Sequence, residues 1–351
     1  MAINWTKGYS VTFEYWQVDP LSFTDKRRLT AVESSEITRD SSDETLGDAT
    51  MTIGEFIDEE TYIRVYLIAT QGRETERVAL GTFLAQTPTV KMDGKSVERP
   101  LELSTPLKEL ADDSPPSGYT VRAGENAVEA AMRVFDRHHV RVKPSTASVT
   151  VPRDITANDS DTWLSFGRAL LDAVEMEPTL DPYGEVGFAP KRDAGALAPS
   201  WTYADDEISI LMPEAELTCD WHEVPNTVEV VVSDTDGFVM GSAVNDDPDS
   251  PVSTVRRGRT VLERIMNPEG VATQAQAISH AKRKLRELSC SERKVTYTHG
   301  YCPVRLGDCI RIYYDVHDFE CRAKVVRQVI RCSTDLEVEE TATYAEELWN
   351  G

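Results

Sequence analysis

Short segments of alternating or continuously apolar residues punctuated by turns fill two long blocks of this sequence, 9–105 and 226–344, and apolar residues fall at helical spacing in three stretches between and within them. Successive side chains of a strand point to opposite faces, so a two-residue period commits a segment to a half-buried sheet. Residues 9–18 place Val11, Phe13 and Tyr15 on one face, and residues 49–53 alternate in the same way. Residues 62–69 and 78–85 form longer, more continuously apolar strands, with Gln71-Gly72-Arg73 as the turn between them. Met92-Asp93-Gly94-Lys95 supplies another turn ahead of a strand around Leu101 and Leu103. Thr105-Pro106 fits a helix N-cap followed by proline at the first helical position, which predicts a short helix through Leu110. Strands at this regular spacing predict a small barrel or sandwich.

The stretch Ala111-Asp112-Asp113-Ser114-Pro115-Pro116-Ser117-Gly118 breaks the pattern, and the period changes after it. Residues 126–138 predict an amphipathic helix with Ala127, Ala131, Val134 and Phe135 inward, and residues 148–151 a short strand. Residues 160–174 predict a second helix with Trp163, Phe166, Leu170 and Val174 on one stripe. Residues 178–188 read as two short strands around an Asp181-Pro182-Tyr183-Gly184 turn, and residues 194–199 as an exit linker.

The second block opens with the β-branched run at 226–233, turns through 234–237 into 238–240, passes a polar loop at 245–251 and resumes at 261–265. Thr273 and Gln276 have capping-box spacing, and the helix they start predicts an inward stripe of Ala275, Ile278, Ala281, Leu285 and Leu288. Strands are expected at 294–299, 308–313, 323–332 and 336–344. The expected fold is mainly β with an α+β insert. Residues 1–112 form a first β domain, 113–200 a small α+β module, and 201–351 a second β domain with one long helix.

Charge narrows the function. Sixty acidic against 37 basic residues give a net charge of −23, a surface that repels nucleic-acid phosphates and disfavours specific DNA or RNA binding as the main task. Solubility alone accounts for such acidity, and a high-salt host would produce it too, since only 11 of the 37 basic residues are lysine. No basic stretch leading into an apolar run opens the sequence and no run of about 18 apolar residues occurs in it, so a soluble, cytoplasmically made protein without stable membrane association is expected.

No constellation in the sequence has the spacing that catalysis or a metal demands. His299, Cys302, Cys309, His317 and Cys321 could be drawn as a zinc site, but their spacing matches no zinc pattern. The six cysteines, including Cys219, Cys290 and Cys332, contain no C-x-x-C pair and read as small buried residues of a β domain without disulfides. Cys290 follows a helix C-terminus, which favours thiol over thiolate. His138-His139 reads as a cation at a helix end, and His222 has no assignable acid or nucleophile. The runs 40–44 and 234–237 resemble fragments of calcium loops without the full ligand run, so both are expected to be turns. Catalytic residues, metal ligands and cofactors are therefore all expected to be none.

The order of segments resembles the baseplate hub proteins of tailed phages, the late-control D type and the related spike hubs of contractile secretion machines. The early β block ending in Leu80-Gly81-Thr82-Phe83 carries the resemblance, as do Gly124 to Phe135, Trp163 to Leu171 and Asp181-Pro182-Tyr183-Gly184-Glu185-Val186-Gly187-Phe188. So do Pro225 to Val232 and the Ala-rich helix 273–288, followed by Val295 to His299 and Val304 to Ile310. The resemblance spans nearly the whole chain and implies two tail-tube-like β-barrel domains flanking the module. It implies a homotrimer whose six barrels form a pseudo-sixfold ring between a hexameric tail tube and a threefold tip or spike. The implied partners are a distal tail or tail tube protein, a tape measure protein and a spike or fibre protein, with DNA passing transiently through an acidic lumen of the virion tail. Many hubs carry lysozyme or fibre-binding extensions, and this sequence resembles a minimal hub that leaves those to separate proteins. Two other classes remain open at this level. One is a virion-associated cell-wall or polysaccharide hydrolase, which needs paired carboxylates or a Cys/His pair in a cleft. The other is a carbohydrate-binding β protein, which would gather several of Trp5, Trp16, Trp163, Trp201, Trp221 and Trp349 on one surface.

Overall fold

The structure, a computed structural model, describes residues 3–57, 61–86, 89–94, 96–206, 209–234, 237–268 and 271–349. The turns read at 92–95 and 234–237 each include residues outside this set. The chain divides into two compact units, residues 1–192, 196–215 and 297–341 in one and 193–195, 216–296 and 342–351 in the other.

The first unit opens with eight strands: β1 (Ser10–Val18), β2 (Asp25–Leu29), β3 (Val32–Asp40), β4 (Gly47–Ile53), β5 (Tyr62–Gln71), β6 (Glu74–Gln86), β7 (Lys91–Asp93) and β8 (Ser96–Ser104). The β5–β6 hairpin closes where Gln71 pairs Glu74, and Gly72 there takes φ +63°, the left-handed conformation a two-residue hairpin loop requires. Tyr62, Ile63, Val65 and Leu67 are buried along β5, so this strand lies in the centre of the core. The apolar and turn signals of the sequence predict β1, β4, β5, β6 and β8 but not β2 or β3, which are polar: only Leu29 is buried in β2 and only Ser35 and Ile37 in β3.

A short helix α1 (Lys108–Ala111) leads into the inserted module. It starts later than Thr105-Pro106 predicts. Leu107 holds the cap position, and the Thr105 hydroxyl instead donates to the Thr45 carbonyl at 2.6 Å. The module contains β9 (Thr120–Val121), α2 (Ala127–Phe135), β10 (Arg141–Val142), β11 (Ile155–Thr156), α3 (Trp163–Asp172), β12 (Met176–Leu180) and β13 (Glu185–Pro190). Both module helices are capped by side chains: the Asn126 side chain accepts from the Val128 amide, and Thr162 and Ser165 form a reciprocal capping box. Phe135, Trp163, Phe166 and Leu170 are buried together, each worth about 1.5–3 kcal/mol in apolar burial. The strand expected at 148–151 is reduced to one bridge, Asn126 with Thr150, while β11 pairs β9 a few residues later.

The remaining strands are β14 (Trp201–Ala204), β15 (Leu211–Cys219), β16 (Thr227–Asp234), β17 (Gly237–Val244), β18 (Leu262–Met266), β19 (Cys290–Gly300), β20 (Cys309–Tyr314), β21 (Phe319–Arg331) and β22 (Glu337–Glu347). A short helix α4 (Thr254–Arg257) precedes β18, and α5 (Gln274–Leu288) precedes β19. In the first unit β21 pairs antiparallel with β3, Ile330 opposite Ile37, so strands from the two ends of the chain share one sheet in the order β21-β3-β4-β8-β6-β5-β1-β2. The architecture is mainly β with an α+β insert, as the periodicity predicts. Among the described residues the strands join as large, mostly antiparallel sheets and no strand path closes into a barrel.

The second unit contains a three-stranded sheet, order β17-β16-β18, with α5 against one face. The buried stripe of α5 is Ala277, Ala281 and Leu285; Ala275, Ile278 and Leu288, expected inward, are exposed. The reason is Gly241. A Cβ built there would lie 2.3 Å from the Ile278 amide nitrogen and 2.8 Å from Ala277 Cβ, so the helix backbone rests directly on the strand and small residues must face it. Gly241→Ala is expected to cost about 1–3 kcal/mol as an overpacked core, read as a lower urea midpoint with an unchanged slope. A loss under about 0.5 kcal/mol would show that the helix is free to lift. The loop at 245–251 is less solvated than its sequence suggests. Asn245 and Ser250 are buried and bonded to each other, and the Ser250 hydroxyl donates to the Leu348 carbonyl.

Candidate functional site

The polar groups that stand out in the first unit are buried. Tyr203 on β14 holds its hydroxyl 3.2 Å from His299 Nε2 and 3.1 Å from Cys302 Sγ. His299, on β19, faces Glu340 of β22 at 3.5 Å, and both side chains are 0% exposed. The Glu340 carboxylate accepts hydrogen bonds from the Tyr297 hydroxyl and from Gln328 Nε2 of β21, the latter at 2.6 Å. Gln328 Oε1 in turn accepts from Arg39 of β3 at 2.9 Å, and Arg39 also donates to the Leu80 carbonyl. One polar chain thus ties six strands together, β14, β19, β22, β21, β3 and β6.

Its electrostatics follow from the geometry. Burial disfavours a charged His299, but its contacts with Cys302 and Glu340 and the Glu340 charge outweigh that and push its pKa up to about 10. His299 Nδ1 lies 2.6 Å from the Gly300 carbonyl, so both ring nitrogens face acceptors and the imidazolium is fully used. Burial and then the Glu340 charge raise Tyr203 and Tyr297 well above the ordinary phenol value, which keeps both hydroxyls protonated donors. A His–Glu–Tyr set sealed from solvent has no path to a substrate, and its chemistry is cohesion between strands.

A second buried charge, Arg64 on β5, joins the β strands to the module. Its guanidinium donates to Thr82 Oγ1 at 2.8 Å, Asp25 Oδ1 at 2.9 Å, the Phe23 carbonyl at 3.2 Å and the Tyr183 carbonyl at 3.3 Å. The Thr82 hydroxyl in turn donates to the Pro182 carbonyl at 2.9 Å. The Asp181-Pro182-Tyr183-Gly184 turn is therefore clamped, and Gly184 (φ +83°) is packed so closely that a Cβ would sit 3.0 Å from the Phe23 ring.

The residues weighed from sequence scatter. His299 and Cys302 come together around Tyr203, whereas His317 ends a short 3-10 helix, Asp315–His317, and Cys309 and Cys321 pair with Lys324 and Ile312 along β20 and β21. Among the described residues no three His, Cys, Asp or Glu side chains gather in an arrangement able to hold a metal ion. All six cysteines are free thiols. Cys302, Cys309 and Cys321 are buried, but Cys290 is exposed, contrary to expectation for a packing residue. Partial burial, then the Glu347 charge, raises the Cys290 thiol pKa. His138 and His139 do not cap α2; they meet Asp113 and Glu109, each at 3.0 Å. Residues 40–44 form turns in which Asp40 and Asp43 accept from Ser42 and Thr45. Trp5 and Trp163 are buried, so the six tryptophans do not line one surface. Among the described residues no helix is long and apolar enough to cross a membrane.

The fold, with two β blocks joined through β3 and β21, an inserted helix-pair module and a small sheet-and-helix unit, is similar to that of phage tail and secretion-spike proteins. A tail protein from Neisseria meningitidis MC58 has a similar structure, with a TM-score of 0.64, 14% identity and 98% of each chain covered. The 43 kDa tail protein of prophage MuSo2 from Shewanella oneidensis is similar at a TM-score of 0.63 and 11% identity, covering 95% of this chain and 98% of that one. A chain of the half-lidded Francisella PdpA–VgrG complex is similar at a TM-score of 0.60 and 7% identity, covering 96% of this chain and 58% of that one. No family model matches the sequence, and no curated protein matches it.

Proposed function

We propose that this chain is a structural tail or baseplate protein of a virion, the hub on which tube and tip meet, and not an enzyme. The observation that carries this reading is the end-to-end likeness to a tail protein, 98% of both chains at a TM-score of 0.64. The hub is a homotrimer. Segments 1–112 and 201–351 contribute six β domains to its ring and segment 113–200 is the module held against them. It receives the hexameric tail tube or distal tail protein, contacts the tape measure protein, and seats a threefold spike or fibre protein. Its acidic charge lines the channel and lets DNA pass without sticking. The buried networks support this reading, because a scaffold that transmits force between neighbours gains from strands pinned by charge.

Mass photometry of the chain, alone and with the tail tube protein of the same virion, is expected to return trimers or trimer-containing rings. Monomers under both conditions would sink the hub reading. The same preparation is expected to leave cell-wall substrate uncleared in a zymogram, and clearing would revive the hydrolase reading.

A further inference from the structure

Among the described residues, the three-stranded sheet of the second unit is covered on one side only, by α5. Toward α5 it presents Val228, Val230, Gly241 and Ala243. The register sets what lies on the other side: Thr227 pairs with Val244 and Leu262, Glu229 with Ser242 and Arg264, and Val231 with Met240 and Met266. Since paired residues point to the same face, these form rows across the open side, and Phe238 opposite Ser233 extends them. Phe238, Met240, Val244, Leu262 and Met266 are 42–66% exposed around a buried Val231. Exposed apolar residues scattered singly need no explanation; five aligned on one sheet face mark a contact surface.

Charge indicates the occupant. The open face carries one anion and one cation, Glu229 and Arg264, bonded to each other at 2.9 and 3.1 Å, so it is neutral. The chain as a whole carries −23, and residues 201–255 hold thirteen Asp and Glu with no Lys or Arg. Another copy of so acidic a chain is repelled by most of this surface but not by this face. Both edge strands, β17 and β18, also present the open face without the lysine or proline that commonly blocks an edge.

We infer that the open face of the β17-β16-β18 sheet is where a neighbouring copy of this chain seats. The inference rests on the self-assembly proposed above and assigns residues to it. In a closed ring the opposing surface is a different patch of the neighbour, so each copy uses this face once.

Peroxide footprinting tests it on the unaltered chain, because Met240 and Met266 are natural probes and Met92, 78% exposed in the first unit, is an internal reference. Oxidation of Met240 and Met266 is expected to slow at least about fivefold in assembled relative to dilute monomeric protein, with Met92 as the normalising rate. Phe238→Asp with Met266→Asp places two unpaired carboxylates in the contact and is expected to weaken assembly on the order of a hundredfold while leaving the melting temperature within a few degrees. Trimers that form undiminished in the double variant, or that leave Met240 and Met266 as reactive as in the monomer, overturn the inference and leave the hub reading intact. Protein that stays monomeric with its tube partner overturns both. Protection that appears only when a different tail protein is added overturns the assignment to a second copy.

Discussion

Arg64→Met is expected to lower the stability of the first unit by about 3–5 kcal/mol, the usual cost of removing one partner from a buried charged cluster. Arg64 is 4% exposed and serves four acceptors in different directions, Thr82, Asp25 and the Phe23 and Tyr183 carbonyls. A methionine fills the volume but leaves both carbonyls without their donor. Asp25 is only partly stranded, because Arg77 at 3.4 Å and the Tyr66 hydroxyl at 2.9 Å still reach it. The loss is therefore expected to fall mainly on the Tyr183 side, where the turn depends on Arg64 and Thr82. Urea denaturation gives the magnitude. Hydrogen exchange at Tyr183 and Gly184 shows whether the turn loosens before the strands do. Arg64→Lys, which keeps the charge but not the planar fork, is expected to recover less than half of the loss. A loss below about 1 kcal/mol with unchanged exchange would show that the turn is held by packing alone.

The α+β module was the most legible part of the sequence because its signals agree with one another. Asn126 and Thr162 cap helices whose apolar stripes hold large residues, and Gly184 supplies the positive φ of the turn between β12 and β13. The strands with continuous apolar runs were legible for the same reason. β3 was not. Its sequence Val32-Glu33-Ser34-Ser35-Glu36-Ile37-Thr38-Arg39-Asp40 buries only Ser35 and Ile37, yet it carries the pairing to β21 that makes one sheet of two blocks. A pairing between residues so far apart in the chain is set by topology, which local periodicity does not encode.

The helix α5 shows a different failure. Spacing places Ala281 and Leu285 inward correctly, but close approach at Gly241 turns Ala277 inward in place of Ala275, Ile278 and Leu288. The signal was present as a glycine facing an Ala-rich helix, and it is readable only once strand and helix are known to touch. The buried network was invisible for a stronger reason. His299 and Cys302 can be drawn as metal ligands from sequence, but Tyr203, Gln328 and Glu340, which decide what His299 does, come from three separate strands. The open sheet face was equally hidden, because the alternation of β17 reads identically whether its second face meets water or another chain.

Glu340→Gln is expected to change how stability depends on pH, and in a direction the wild-type geometry fixes. The His299 pKa is raised to about 10 in the folded chain, against about 6.5 for an unperturbed histidine. A group raised on folding contributes its stability fully below its unfolded pKa and loses it as pH climbs toward the folded one. The wild-type melting temperature is thus expected to decline between about pH 6.5 and 10. The introduced amide would still accept from the Tyr297 hydroxyl but would offer no charge, leaving only the Cys302 contact to oppose burial, so the His299 pKa is expected to fall. The variant should lose about 3 kcal/mol near neutral pH, the lower end for breaking a buried pair, because the histidine can shed its proton rather than remain charged. Its alkaline decline should flatten, and the gap to wild type should narrow as pH approaches about 10. Taking the difference between the two profiles cancels the titration of the carboxylates they share. Parallel profiles from about pH 6 to 10 would show that Glu340 does not set the protonation state of His299.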